Sequence, residues 1–131
     1  MMPSSTRNTF KKSERLSSRL LMERLFQDDS KSVSAYPMRA VFLPVDKSVL
    51  QGVSVLISVP KKRFHDAVDR NRVKRQIREA YRKLKHSLVE NMVSREEGLL
   101  IAFIYVSAKI ESTAYVEKRM SRLLEKISEA L

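Results

Sequence analysis

No cysteine occurs among the 131 residues, and that one absence removes disulfides, thiolate zinc sites and thiol nucleophiles together. An intracellular, cytoplasmic home is the expectation. Residues 1–12 are polar and basic without an apolar run, so neither a signal peptide nor a membrane span is expected there, and the segment reads as a flexible basic arm. Acid–base machinery is equally sparse. His65 and His86 have no evident Ser, Asp or His partner in sequence, and a lone histidine more often caps or decorates a surface than acts as a general base. The acids are scattered, and the adjacent Asp28 and Asp29 fall in a loop rather than at a spacing that would jointly hold a metal. No side chain is expected to be catalytic and no metal to be held tightly by the protein. There is no internal repeat or low-complexity tract, and residues 13–131 are long enough for one domain that buries roughly two-thirds of its unfolded surface.

What the chain does have is positive charge, and it is concentrated. Between Lys61 and Lys85 stand eleven Lys and Arg against three acids, Asp66, Asp69 and Glu79, within a formal net charge of +11. At about 100° per residue, Val73, Ile77, Ala80, Tyr81, Leu84 and Leu88 gather on one side of a helix. Asn71, Lys74, Arg75, Arg78, Arg82 and Lys85 gather on the adjoining side. One helix therefore packs against a core and presents guanidinium and ammonium groups to a partner. Asp66 is the expected N-cap and Asp69 suits the first-turn dipole. A merely solvated helix normally mixes signs to gain i,i+4 pairs, so a one-signed band favours a polyanion, with guanidinium well matched to phosphate. A DNA-reading helix would turn a short face of Asn, Gln or Arg to base edges, usually in a dimer. This helix offers mainly phosphate-binding charge, so neither DNA nor a membrane is expected as a partner.

The remaining elements read from periodicity. Ser17, or Ser13 one turn earlier, starts a first helix whose apolar side is Leu21, Met22, Leu25 and Phe26, and residues 27–34 read as a loop. Residues 38–45 follow as a strand, with Val41, Leu43 and Val45 opposing Ala40 and Phe42; Pro37 and Pro44 confine it to an edge or a bulge. After a turn over 46–52, Val53, Val55, Ile57 and Val59 alternate with Ser54 and Ser58 as a half-buried strand, which Pro60 ends. The basic helix fades near Val93, residues 94–98 turn, and 99–106 form an unbroken apolar run suited to a strand covered on both faces. The last helix starts at Ser112 or Thr113 and repeats Val116, Met120, Leu123, Ile127 and Leu131. The order is helix, strands, helix, strand, helix.

Val59-Pro60-Lys61-Lys62, followed by Ala67-Val68-Asp69-Arg70-Asn71-Arg72-Val73-Lys74-Arg75-Gln76-Ile77-Arg78-Glu79, closely resembles the signature of the bacterial ribonuclease P protein subunit. The resemblance also covers the element order from about Leu16 to Leu131. It implies an α/β (α+β) two-layer sandwich with a mixed sheet, like domain 2 of ribosomal protein S5, and a left-handed crossover through the basic helix where the general rule favours a right-handed one. It implies a ribonucleoprotein endonuclease, a hydrolase, whose catalyst is RNA, with Mg2+ held mainly by that RNA. The protein would help bind precursor tRNA for removal of its 5′ leader. Carried over by position, Lys61, Lys62, Arg70, Asn71, Arg72, Lys74, Arg75, Arg78 and Arg82 are expected to contact the catalytic RNA. The family's cleft between first helix and sheet receives the single-stranded leader, and the matching positions are Met22 and Phe26 on the helix with Phe42 or Leu43 on the strand. A one-residue ambiguity there reverses the face. Ordinary core is the alternative for Met22, Phe26 and Phe42, and a general, ribosomal-type RNA-binding protein is the alternative for the whole.

Overall fold

The computed structural model of the chain describes residues 23–26 and 30–131. The expected arm at 1–12, the Ser13 or Ser17 cap, Leu21 and Met22 lie outside them. Strands β1 (Lys31–Ala35), β2 (Met38–Asp46), β3 (Val53–Ser58) and β4 (Glu97–Tyr105) form a single sheet in the order β1-β2-β4-β3. β2 is antiparallel to β1 and to β4, whereas β3 runs parallel to β4. Helices α1 (Ala67–Leu84) and α2 (His86–Arg95) connect β3 to β4, and α3 (Thr113–Ala130) closes the chain. The mixed sheet with helices expected from the sequence is the observed fold.

Alternation along β4 accounts for both sides of the sheet. Leu99, Ile101, Phe103 and Tyr105 face a core built with α1, α2 and α3, while Leu100 and Ala102 face the opposite side, where they join Val41, Leu43, Val45 and Leu25. A strand apolar at every position is the pattern demanded by cover on both faces. In α3, Val116, Met120, Leu123 and Ile127 are all buried, and the Ser112 hydroxyl accepts from the Tyr115 N–H at 3.2 Å as an N-cap, which settles the start between Ser112 and Thr113.

Four expectations need correction. β1 begins inside the stretch read as loop and takes up the last four residues of that stretch; its five residues, KSVSA, carry too little apolar alternation to signal a strand, and its polar, Lys-bearing sequence suits an exposed edge. β2 is internal rather than an edge, yet β1 extends only as far as Phe42, so at Pro44 the missing N–H falls where β2 has a neighbour on one side alone. The basic helix does not run unbroken to Val93. It bends at Lys85 into α2, and the bend brings Leu88 and Met92 into the core while leaving Leu84 36% exposed. Asp66 occupies the N-cap position of α1 with an extended backbone, but its side chain makes no cap bond; its carbonyl accepts from the Arg70 N–H at 3.1 Å.

The two glycines have different duties. Gly52 has φ +82 with open space around it, whereas a Cβ on Gly98 would meet the Leu50 carbonyl oxygen at 2.1 Å. Gly98 therefore lets the 46–52 turn lie directly on the start of β4, where the Leu99 N–H donates to the Gly52 carbonyl at 2.9 Å. At the other end of β4, buried Tyr105 packs on Phe64 with ring centroids 6.0 Å apart. Its hydroxyl donates to the Lys109 carbonyl at 2.8 Å and accepts from the Glu111 N–H at 3.1 Å. One side chain thus ties the approach to α1 and the approach to α3 to the sheet.

Gly98→Ala is expected to cost about 1–3 kcal/mol, because backbone must move to admit the methyl. Gly52→Ala should cost about 1–2 kcal/mol from its left-handed backbone alone; urea unfolding of both variants measures the difference. Burial pushes the Tyr105 phenol above the ordinary tyrosine value. Since the folded state favours the protonated phenol, its contribution is complete below about pH 10 and is lost as pH rises through the raised value. Tyr105→Phe should flatten that alkaline decline, as read by thermal melting between neutral and alkaline buffer.

Candidate nucleic-acid interface

The basic surface is positioned from below by an apolar stripe. Val73, Ile77, Ala80 and Tyr81 are buried on α1, and the Tyr81 ring meets Phe103 of β4 with centroids 5.6 Å apart. With that stripe turned inward, Asn71, Lys74, Arg75, Arg78 and Arg82 fall on the outward band by the 100° step. Asn71 and Arg75 are exposed, and Lys74, Arg78 and Arg82 are half-buried along their stems. Lys61 and Lys62 stand exposed in the turn that follows β3, where the Arg63 N–H donates to the Pro60 carbonyl at 3.0 Å. Phe64, buried against Tyr105, anchors that turn beside the start of α1.

The Arg-Asn-Arg run does not form one patch. Arg70 lies at the border of the buried stripe, and its Nη1 donates to the carbonyls of Phe64 at 2.9 Å and His65 at 2.8 Å. It braces the loop that carries Lys61 and Lys62 onto α1. Arg72 falls on the far flank of the helix, together with Gln76 and Lys83, which reach α3. Gln76 Nε2 donates to the Glu111 carbonyl at 3.0 Å and to Thr113 Oγ1 at 3.2 Å, and Lys83 pairs with Glu117 at 2.9 Å. Asn71 alone of the three sits in the middle of the band.

Arg82 is engaged too. Its Nε donates to Glu79 Oε1 at 3.0 Å, and its Nη2 makes a second, short contact to the same oxygen. The bond from Arg82 holds the Glu79 carboxyl below the ordinary carboxylate range and raises the guanidinium in turn. Lys61, Lys62, Lys74 and Arg75 form no ion pair with a described residue. Of these, Lys61, Lys62 and Arg75 are also exposed, and so open to a partner.

The leader-cleft positions separate by face. Phe26 is 55% exposed beside buried Leu25, and Leu25 lies on the sheet face that carries Val41 and Leu43. Phe42 points the other way, wholly buried in the core beneath the helices. It is core and not cleft, because β2 alternates and Phe42 pairs with Ile101 while Leu43 pairs with Leu100. Met22 lies outside the described residues. His65 is exposed, and exposed His86 lies against Glu90, Nε2 to Oε2 at 3.3 Å. Among the described residues no group of three or more His, Asp or Glu side chains is placed to hold a metal ion, and no helix is long and apolar enough to cross a membrane.

Sequence reasoning missed the bracing role of Arg70 and the use of other cations as struts. Lys31 Nζ donates to the Ala130 carbonyl at 2.8 Å, Arg119 Nε to that of Tyr36 at 2.8 Å, and Lys126 Nζ to that of Ser34 at 2.5 Å. Each partner is a main-chain carbonyl brought close only by folding, so no sequence signal marks these residues out.

Known proteins share both this sequence and this fold. The ribonuclease P family model matches residues 10–128. A ribonuclease P protein component from Porphyromonas gingivalis strain W83 is 40% identical over 117 residues, covering 89% of this chain and 85% of the relative. One from Chlorobaculum tepidum is 39% identical over 66 residues, covering 47% of this chain and 43% of the relative. A solved RNase P protein from Staphylococcus aureus superposes with a TM-score of 0.62 at 19% identity, over 87% of this chain and 94% of that one. A second structure from the same organism gives 0.62 at 22% identity, over 91% and 92%. Such structural likeness shows a common fold, and with the sequence match spanning nearly the whole length, the chain belongs to the ribonuclease P protein family.

Proposed function

We propose that this protein is the RNA-binding subunit of a ribonuclease P particle: it grips the catalytic RNA through α1 and the Lys61-Lys62 turn, and helps that RNA bind precursor tRNA for removal of the 5′ leader. The observation that carries the reading is the outward band of α1, whose azimuth is fixed by the buried Val73, Ile77 and Tyr81 and whose cations suit phosphate rather than base edges. Residues 13–131 act as one RNA-binding domain, with 1–12 as a basic arm. Hydrolysis belongs to the RNA, which holds the Mg2+ on its own phosphates. Leader binding falls to Phe26, which is exposed beside the sheet face bearing Leu43, and bases stack on an aromatic face without regard to sequence.

Reconstitution tests the whole reading. Precursor tRNA should be cut at low Mg2+ by catalytic RNA plus protein, and not at any Mg2+ concentration by protein rigorously freed of RNA. For about five phosphate contacts, log K should fall with log salt at a slope of roughly −3.5 to −4.5, and a flat titration would refute the phosphate grip.

Arg70 and Arg75 should separate structure from contact. Arg75→Ala is expected to weaken RNA binding with a stability change within about 0.5 kcal/mol. Arg70→Ala should weaken binding and also cost about 1–3 kcal/mol of stability, since two carbonyls lose a charged donor. On the other sheet face, Phe26→Ala should leave stability nearly intact and reduce discrimination of precursor from mature tRNA by about 1–3 kcal/mol. Leu43→Ala should instead cost about 2–5 kcal/mol of folding stability. Melting curves and affinities for the two tRNAs read out both.

A further inference from the structure

Of the chain's four tyrosines, Tyr81 and Tyr105 are wholly buried, while Tyr36 and Tyr115 are 50% and 37% exposed. The two exposed rings line the same open pocket, together with Lys109, Ile110, Glu111 and Ser112. It holds about 530 Å3, within the range of small-ligand sites at about 300–1,000 Å3. Single exposed aromatics are ordinary on a protein surface, but a pair converging on one cavity is not explained that way. Both are anchored from behind. The Tyr36 carbonyl accepts from Arg119 Nε at 2.8 Å and the Pro37 carbonyl from the Val106 N–H at 2.8 Å. The Tyr115 N–H donates to Ser112 Oγ at 3.2 Å. The backbone that carries each ring is fixed while part of the ring stays open to solvent.

The segment before α3 that lines the pocket is also met by the flank of α1 that carries Arg72, through Gln76. Gln76 reaches Glu111 and Thr113, and Lys83, two turns on, reaches Glu117. α1 and α3 therefore advance in the same direction at this contact, and Arg72 stands one turn before Gln76 on that flank of α1. Arg72 is exposed and forms no ion pair with a described residue, and Lys109 is exposed on the pocket wall. Glu111 also lines the cavity, but its carboxylate accepts from Ser107 Oγ at 3.2 Å, which ties it to a buried side chain.

We propose that the pocket between Tyr36 and Tyr115 receives one unpaired nucleotide of an RNA whose backbone runs along the Arg72 flank of α1, an inference that rests on the RNA-binding reading above. The base stacks on the tyrosine rings, a contact open to any base because each has a π face. Its phosphate lies toward Lys109 and Arg72, away from the Glu111 carboxylate. The site stands on the α3 side of α1, so it is separate from the outward band and from the sheet face that carries Leu43. It gives Arg72 a task its position denies it in the main band.

The test uses the full chain and a single-stranded oligouridylate bearing 5-iodouridine, cross-linked by light and mapped by mass spectrometry, with a blunt RNA duplex as the control for phosphate binding. Cross-links at Tyr36 or Tyr115 are expected. Tyr36→Ala and Tyr115→Ala should each lower affinity for the oligouridylate by at least about fivefold, with duplex affinity unchanged and with Tyr36→Phe and Tyr115→Phe retaining single-strand binding. Cross-links confined to Phe26 and the outward band of α1, with both alanine variants binding the oligouridylate as wild type does, would overturn the pocket and leave the general RNA-binding reading standing. Failure of the wild-type protein to bind either RNA would overturn both. Because the cross-linking arm uses unmutated protein, an unstable variant cannot decide the outcome.

Discussion

The aim of the charged band depends on the burial of four side chains of one helix. Val73, Ile77, Ala80 and Tyr81 are inaccessible to solvent, and with them turned inward each Lys and Arg of α1 has its direction assigned by the helical step. Rotating the helix would expose Tyr81 and bury guanidinium groups without partners, which is far costlier than any gain in surface charge. The hydrophobic effect is non-directional in itself, yet through this stripe it aims the charges. Apolar packing and phosphate binding are therefore two properties of the same residues' spacing.

The charge on this protein is not all available to a ligand. Arg70 holds the turn that carries Lys61 and Lys62, Lys83 crosses to Glu117, and Lys31, Arg119 and Lys126 reach main-chain carbonyls of elements distant in sequence. Exposed pairs such as Lys83–Glu117 contribute little each, but bonds from a charged donor to a carbonyl are stronger than neutral ones. Lys31, Arg119 and Lys126 join α3 to β1 and its turn, and Arg119 among them holds the main chain of Tyr36, which lines the pocket. A formal charge of +11 thus divides between binding surface and internal struts, and only geometry tells one from the other.

The two ends of β4 set where the loops can stand. At its start, Gly98 admits the Leu50 carbonyl into space that any side chain would fill. At its end, Tyr105 clamps residues 109–111 by its hydroxyl and Phe64 by its ring. Because the Phe64 segment leads into α1 and the 109–111 segment into α3, a single buried phenol touches the approach to each helix. Burial raises its pKa above the ordinary tyrosine value, so the phenol stays a donor to higher pH than an exposed tyrosine would.

The sequence by itself determined strands β2, β3 and β4, the helical stretches that follow β3 and β4, the apolar stripe of α1, the cover on both faces of β4 and the family, because each of these is written in local spacing: a period of 3.6 or of 2, an unbroken apolar run, a lysine pair set before Arg-Asn-Arg. It did not determine β1, whose five residues alternate too weakly, or the central place of β2, where Pro44 is tolerated only because β1 stops short. Nor could it decide between Phe42 and Leu43 for the sheet face opposite the helices, since register across strands settles which way alternate side chains point, and pairing with β4 sent Phe42 into the core. The different fates of Arg70 and Arg72 were likewise decided by tertiary structure. Two residues apart on a helix they point about 200° apart, and which of them meets a carbonyl and which meets solvent depends on what the rest of the chain has packed beside them.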